Sequence, residues 1–304
     1  MALVRRILLP FLLLLPILAG CGAAPNQSPA GDNVAGGASG PPSGAPCSPW
    51  GCAQDARFAA ATSFARAQIG HVGMVVKDRV TGAVWSAGEP DFAIWAGSTP
   101  KLAYVVALKE QAAAGRLKLT GTDQAEIAKM LSVSDNNSAD DLWDRYADSA
   151  ALMRTWQNTY GMKTATYVDG FPDRWGFVKC TPQDLVALMS YVLDKLAPTD
   201  RQYIVDSMRT VGPPQRWGVW GAGADLRPGV KDGWSIEQDD NGTDHWITAT
   251  VGFVGPDERY VVGAMYDQVP GQDSIEKGVH VLTDLVATVF GAPVPAPAVI
   301  PEDY

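Results

Sequence analysis

Three short polar groups stand in fixed order along the chain: Ser98-Thr99-Pro100-Lys101, Ser134-Asp135-Asn136 and Lys231-Asp232-Gly233. A serine hydroxyl becomes a nucleophile only when a base takes its proton. Lys101 follows Ser98 by three positions, so on one helix the two side chains share a face and can meet. Ser98 in the first turn of that helix would also sit at its positive end, where backbone amides favour developing negative charge. The second group follows one helical pattern and precedes another, which implies a tight polar loop. There Ser134 reads as a proton relay to a leaving group, Asn136 as a donor to a substrate amide, and Asp135 as the residue that holds the loop. The same three residue types are also the favoured helix N-caps. Together the groups describe acyl transfer to a serine.

The elements that must position these groups are legible in outline. Residues Asp55 to Gln68 form an alanine-rich helical pattern with Phe58 and Phe64 on its face, and Val72 to Asp78 and Ala83 to Ala87 read as a hairpin around Thr81-Gly82. Pro100 opens a helical run to Gln111, with Leu102, Val105, Val106 and Leu108 at helical spacing. Helical patterns then cover Gln124 to Leu131, Ala139 to Tyr146, Ser149 to Thr159 and Thr181 to Leu196, with no strand expected among them. Strand patterns return at Trp246 to Val254 and Arg259 to Tyr266, and Ser274 to Phe290 closes as an amphipathic helix. Strands at both ends with helices between imply an α+β fold, in which one antiparallel sheet is formed by both chain ends and an all-α subdomain is inserted.

With the motifs placed on that scaffold, the chain resembles the penicillin-recognising serine enzymes, the class A β-lactamases and D-alanyl-D-alanine peptidases, over roughly Asp55 to Phe290. The resemblance implies a sheet domain and an α domain with the site between them. It makes Ser98 the acylated nucleophile, Lys101 its general base or base partner, Ser134 the proton shuttle, Asn136 a substrate ligand, and Lys231 a residue on the strand bordering the cleft. It further implies an oxyanion hole built from the backbone amides of Ser98 and Trp234, with Gly233 keeping room beside the substrate.

The sequence departs from that family at two points. Asp232 stands where the family carries a hydroxyl residue that binds a substrate carboxylate. Two like charges ~4 Å apart at an effective dielectric of ~20 repel by about 4 kcal/mol, so an ionised Asp232 in the cleft would disfavour such a substrate. No glutamate lies between Ser134 and Lys231 to position a hydrolytic water. The corresponding loop, Tyr167 to Trp175, offers only the shorter Asp169 and Asp173, which also suit turns and caps.

Arg5 and Arg6 precede an apolar run from Ile7 to Leu18 that ends in Leu18-Ala19-Gly20-Cys21. The run is shorter than the ~20 residues that span a bilayer and resembles a bacterial lipoprotein signal, with lipid attached at Cys21. The expected organisation is a signal over 1–20, a Gly/Ala/Pro/Ser tether over 21–54, a folded domain over 55–291 with its α subdomain at about 102–225, and an extended tail over 292–304. The composition resembles that of actinobacterial lipoproteins. The net charge of −9 disfavours nucleic acid as a partner. Cys47 and Cys52 can close a small loop, or either can pair with Cys180. His71, His245 and His280 show no ligand spacing, so no metal or cofactor is expected.

The leading expectation is a lipid-anchored serine hydrolase or acyl-transferase on the outer face of the cell membrane. Its substrate would be peptidoglycan or another envelope amide or peptide whose recognised end is not a simple carboxylate. Efficient β-lactam turnover is not expected. The alternatives are a non-catalytic envelope-binding lipoprotein and a true β-lactamase that uses Asp169.

Overall fold

The computed structural model describes residues 47–238 and 241–302. The expected signal segment, Cys21 and the expected tether up to residue 46 lie outside the described residues. The folded chain opens with α1 (Cys52–Arg66), whose first residue is bonded to Cys47 through a disulfide, while Cys180 is buried and free. Next come β1 (Gly70–Asp78) and β2 (Val84–Gly88), which pair antiparallel as a hairpin. Late in the chain β6 (Gly229–Gln238), β7 (Asp244–Val254) and β8 (Tyr260–Gln268) complete an antiparallel sheet of order β2-β1-β8-β7-β6. β8 joins the two chain ends, pairing with β1 on one side and β7 on the other. The antiparallel sheet formed by both ends of the chain is therefore the observed architecture.

Strand alternation sends each side of the sheet into a different core. Met74, Val76, Val230, Val262, Ala264 and Tyr266 pack against α1 and the C-terminal helix α8 (Ile275–Phe290). Val75, Ala249, Val251, Phe253, Val261 and Met265 face the helical part of the molecule. Each large apolar side chain buried in this way stabilises the fold by roughly 1.5–3 kcal/mol. Those helices are α2 (Pro100–Ala113), α3 (Gly121–Ser132), α4 (Asn136–Tyr146), α5 (Ser149–Asn158), α6 (Pro182–Asp194) and α7 (Pro198–Arg209).

Helix α2 runs through the centre: every residue from Pro100 to Lys109 is buried. A helix apolar on all sides has to be an interior one, and Lys101 is carried inside with it. The neighbouring helices start at strong sequence signals. Thr120 with Asp123 and Thr181 with Asp184 form reciprocal capping boxes on α3 and α6, and Asp135 caps α4 by accepting from the Ser138 amide at 2.7 Å.

One expectation needs correction. The helical middle does contain strands: β4 (Thr166–Tyr167) and β5 (Val178–Cys180) pair with β3 (Ile94–Trp95) in a separate three-stranded sheet. Strands of two or three residues carry no periodicity, which is why the pattern misses them. The tail over 292–302 carries no helix or strand and lies along the body. The Ala296 amide donates to Asp284, the Val299 amide donates to the Arg216 carbonyl, and Ala298 and Ile300 pack against the α1/α8 core. Among the described residues no helix is long and apolar enough to cross a membrane.

Candidate functional site

Ser98 lies just ahead of α2, and its carbonyl accepts the Lys101 amide at 3.2 Å in the opening turn. Lys101 is wholly buried, and its amine is turned to three oxygens: the Ser134 carbonyl at 2.5 Å, Asn136 Oδ1 at 2.6 Å and Ser134 Oγ at 3.3 Å. Burial, and after it the Lys231 charge, pulls the Lys101 pKa down from 10.5 to about 6. Near neutral pH the amine is thus largely uncharged. Its two N–H groups can serve the two short contacts, which leaves the lone pair free to take a proton.

Ser134 carries the link to the third motif. Its hydroxyl also receives the Lys231 ammonium at 2.9 Å, so one oxygen stands between two lysines. Ser134 holds a left-handed backbone with φ of 62°, a conformation uncommon outside glycine and concentrated at functional sites. Lys231 is itself fully buried, and burial lowers its pKa to about 7. It donates further to Gln215 Oε1 at 3.0 Å and to the Asp232 carbonyl at 2.6 Å, and Gln215 Oε1 also accepts the Asp232 amide at 2.8 Å. Gln215 therefore fixes both the lysine and its strand. Sequence reasoning missed it, because a single glutamine in a short turn has no informative spacing.

The backbones of the first and third motifs touch. A Cβ on Gly233 would lie 2.5 Å from the Ser98 amide nitrogen, and one on Gly97, at φ +53°, would lie 2.7 Å from that of Trp234. Only glycines permit this approach. It brings the Ser98 and Trp234 amides together at β6, an edge strand of the sheet, where an oxyanion could accept from both. Gly233→Ala is expected to force these backbones apart. We expect acylation at Ser98 to fall by about 100-fold or more, as for a lost oxyanion donor, with labelling kinetics as the check and the far-UV circular dichroism spectrum unchanged.

Asp232 does not lie in the cleft, which corrects its assignment as a substrate-binding residue. In the β6–β7 register it pairs with Thr250, so its side chain shares the Thr250 face of the sheet, opposite to Lys231. The carboxyl is fully buried, near the Thr250 hydroxyl and the Trp217 amide, with neither in the geometry of a full hydrogen bond. Burial pushes its pKa well above the carboxylate range. A direct repulsion between Asp232 and a bound carboxylate therefore has no geometric basis.

The loop expected to hold a water-activating acid holds something else. Asp169 and Asp173 are both exposed. From the same loop Trp175 lays its indole over Lys101, with Nζ 4.3 Å from the ring centroid, and donates from Nε1 to Asp140 at 2.9 Å. Arg174 also bonds Asp140 and pairs with Asp144. The two anchoring carboxylates belong to α4, the helix that begins at Asn136.

Above Ser98 opens a cleft of ≈ 740 Å³. Ser134, Asp135 and Asn136 line one side, and Trp234, Ser235, Ile236 and Trp246 the other. Ile236 is 53% exposed and Val133, also on the rim, 38%. The lining includes one acidic side chain and no lysine or arginine. Of the candidate residues, Ser98, Lys101, Ser134, Asn136, Lys231, Gly233 and Trp234 meet around the cleft and its floor. Trp217 is wholly buried, and Trp175 nearly so. Among the described residues no group of three His, Cys, Asp or Glu side chains is arranged to hold a metal ion.

No protein-family model matches the chain, and no curated protein sequence matches it. Its structure is similar to solved class A β-lactamases. With an ancestral (GNCA) class A β-lactamase the TM-score is 0.60 at 19% identity, over 77% of this chain and 99% of the other. With a β-lactamase from Xanthomonas campestris pv. campestris it is 0.61 at 19% identity, over 79% and 97%. A β-lactamase from Burkholderia vietnamiensis gives 0.61 at 21% identity, over 79% and 96%. At these identities the likeness is one of fold, and it spans nearly the whole of each neighbour.

Proposed function

We propose that this chain, built on the class A β-lactamase fold, is a serine acyl-transfer enzyme of the penicillin-recognising type, held at the outer face of the cell membrane by lipid on Cys21. The observation that carries the reading is the buried Lys101 amine, with its pKa near 6, in contact with a serine that also bonds Lys231. Ser98 Oγ attacks the carbonyl carbon while its proton passes to Lys101 Nζ. The oxyanion accepts from the Ser98 and Trp234 amides, each such donor being worth about 3 kcal/mol. Ser134 Oγ then delivers a proton to the leaving group as its bond to the acyl carbon breaks, and takes one in turn from the lysine side.

The substrate is an envelope amide or peptide, such as a peptidoglycan stem. The apolar rim of Val133, Ile236 and Trp246, and a lining without exposed cations, suit an acyl group recognised through apolar contact and not through a carboxylate. The test is intact-protein mass spectrometry of the full chain incubated with benzylpenicillin or p-nitrophenyl acetate. A single acyl adduct is expected on Ser98 and none on Ser98→Ala. If neither reagent labels the wild-type chain while a control acyl-serine enzyme is labelled, the reading is lost and a non-catalytic binding role takes its place. The exposed position of Asp169 disfavours a β-lactamase that uses it as a base.

A further inference from the structure

We propose that Trp175 is a water-excluding plug that makes the Ser98 acyl-enzyme long-lived, so that the acyl group leaves by transfer to an acceptor entering from the cleft and not by hydrolysis. This rests on the acyl-transfer reading above. Hydrolysis needs a water molecule beside the ester, held by a group that can take its proton. At Lys101 Nζ the Ser134 carbonyl and Asn136 Oδ1 engage the two N–H groups, Ser134 Oγ lies at 3.3 Å, and the Trp175 ring covers one side of the amine with its centroid at 4.3 Å. An indole face at that distance fills the volume a bridging water would need, and its own N–H points elsewhere, to Asp140.

The plug is held firmly. Trp175 is only 9% exposed, its N–H is satisfied, and the adjoining Arg174 pairs with Asp140 and Asp144 on α4. The loop's carboxylates, Asp169 and Asp173, are exposed. The cleft over Ser98, which Trp175 does not line, opens between the Ser134–Asn136 loop and β6. An acceptor amine or hydroxyl arriving there would attack the ester carbon and give its proton to Lys101. The ester C–O bond would then break, and Ser98 Oγ would take that proton back. Acylation and transfer balance with no oxidant, reductant or metal.

The experiment follows the decay of the Ser98 adduct by intact mass after excess reagent is removed, in wild type, Trp175→Ala and Trp175→Phe, using benzylpenicillin and p-nitrophenyl acetate. The wild-type adduct is expected to persist, Trp175→Ala to shed it about tenfold faster or more, and Trp175→Phe, which keeps a ring over the lysine, to stay near wild type. In wild type a small amine acceptor, hydroxylamine, should discharge the adduct faster than water alone does and yield the acyl hydroxamate. If Trp175→Ala does not fold, Trp175→Leu and the hydroxylamine comparison decide. Equal decay in wild type and the small-residue variant, or rapid wild-type turnover in water alone, overturns this inference and leaves acyl transfer standing. Absence of any adduct overturns both.

Discussion

Lys101→Met is expected to slow acylation of Ser98 by about 100- to 10,000-fold, the range for loss of a positioned general base. Methionine fills nearly the same buried volume and cannot take a proton. The pH profile separates chemistry from packing. In wild type the acylation rate should rise with pH through about 6, as Lys101 loses its proton, and then level off. In Lys101→Met that inflection should vanish, leaving a slow rate that tracks hydroxide. The stability effect should be smaller. The variant leaves the Ser134 carbonyl and Asn136 Oδ1 without their short donor, at a cost of roughly 1–3 kcal/mol for a buried group unmet, while it removes a desolvated amine. Stopped-flow labelling from pH 5 to 9 measures the rate. A profile that keeps its inflection near 6 in the variant would move the base role to Lys231, whose pKa of about 7 makes it the next candidate.

What the sequence could reveal about this site follows from the range of the interactions involved. The Ser98–Lys101 pair was readable because both residues lie on one helical turn. The Ser134 loop was readable because capping chemistry is local, and its Asp135 does cap α4. The sheet formed by both chain ends was readable from alternation in long strands, whereas β4 and β5 were too short to alternate. Gln215 and Trp175 were a different case. Each acts on a lysine in a different element, Gln215 on Lys231 of β6 and Trp175 on Lys101 of α2, through a contact that only the packed helices and the edge strand create. Trp175 ends the loop in which the sequence offers only Asp169 and Asp173, and nothing local tells that its ring lies on the base. Asp232 shows the limit from the other direction. Its type and motif position suggested a charge facing substrate, and the strand register sends it to the other face.

That buried carboxyl gives the second large effect, on stability. Asp232→Asn is expected to stabilise the fold at pH 8 by on the order of 2 kcal/mol, about 4–8 °C in Tm for a chain of this size. An unfolded aspartate ionises near 3.8, whereas burial raises the native pKa well above that. Above pH 3.8 the native state therefore binds the proton that the unfolded state has lost, and stability falls as pH rises toward the native pKa. Asparagine keeps the shape and has no proton to lose, and its N–H can donate to Thr250 Oγ1 across the pair. The gain should accordingly be large at pH 8 and nearly absent at pH 4, where aspartate is substantially protonated in both states. Lysines 101 and 231 slope the other way, since a lysine held neutral in the fold lets stability rise with pH above its native value of about 6 or 7. Thermal melts of wild type and Asp232→Asn from pH 4 to 9, taken as differences, cancel those lysine contributions to the extent that the substitution leaves the lysine pKa values unchanged. A gain of equal size at every pH would mean that packing and not protonation is at issue, and a loss at pH 8 would mean that Asp232 is ionised and paired with Lys231 through the strand.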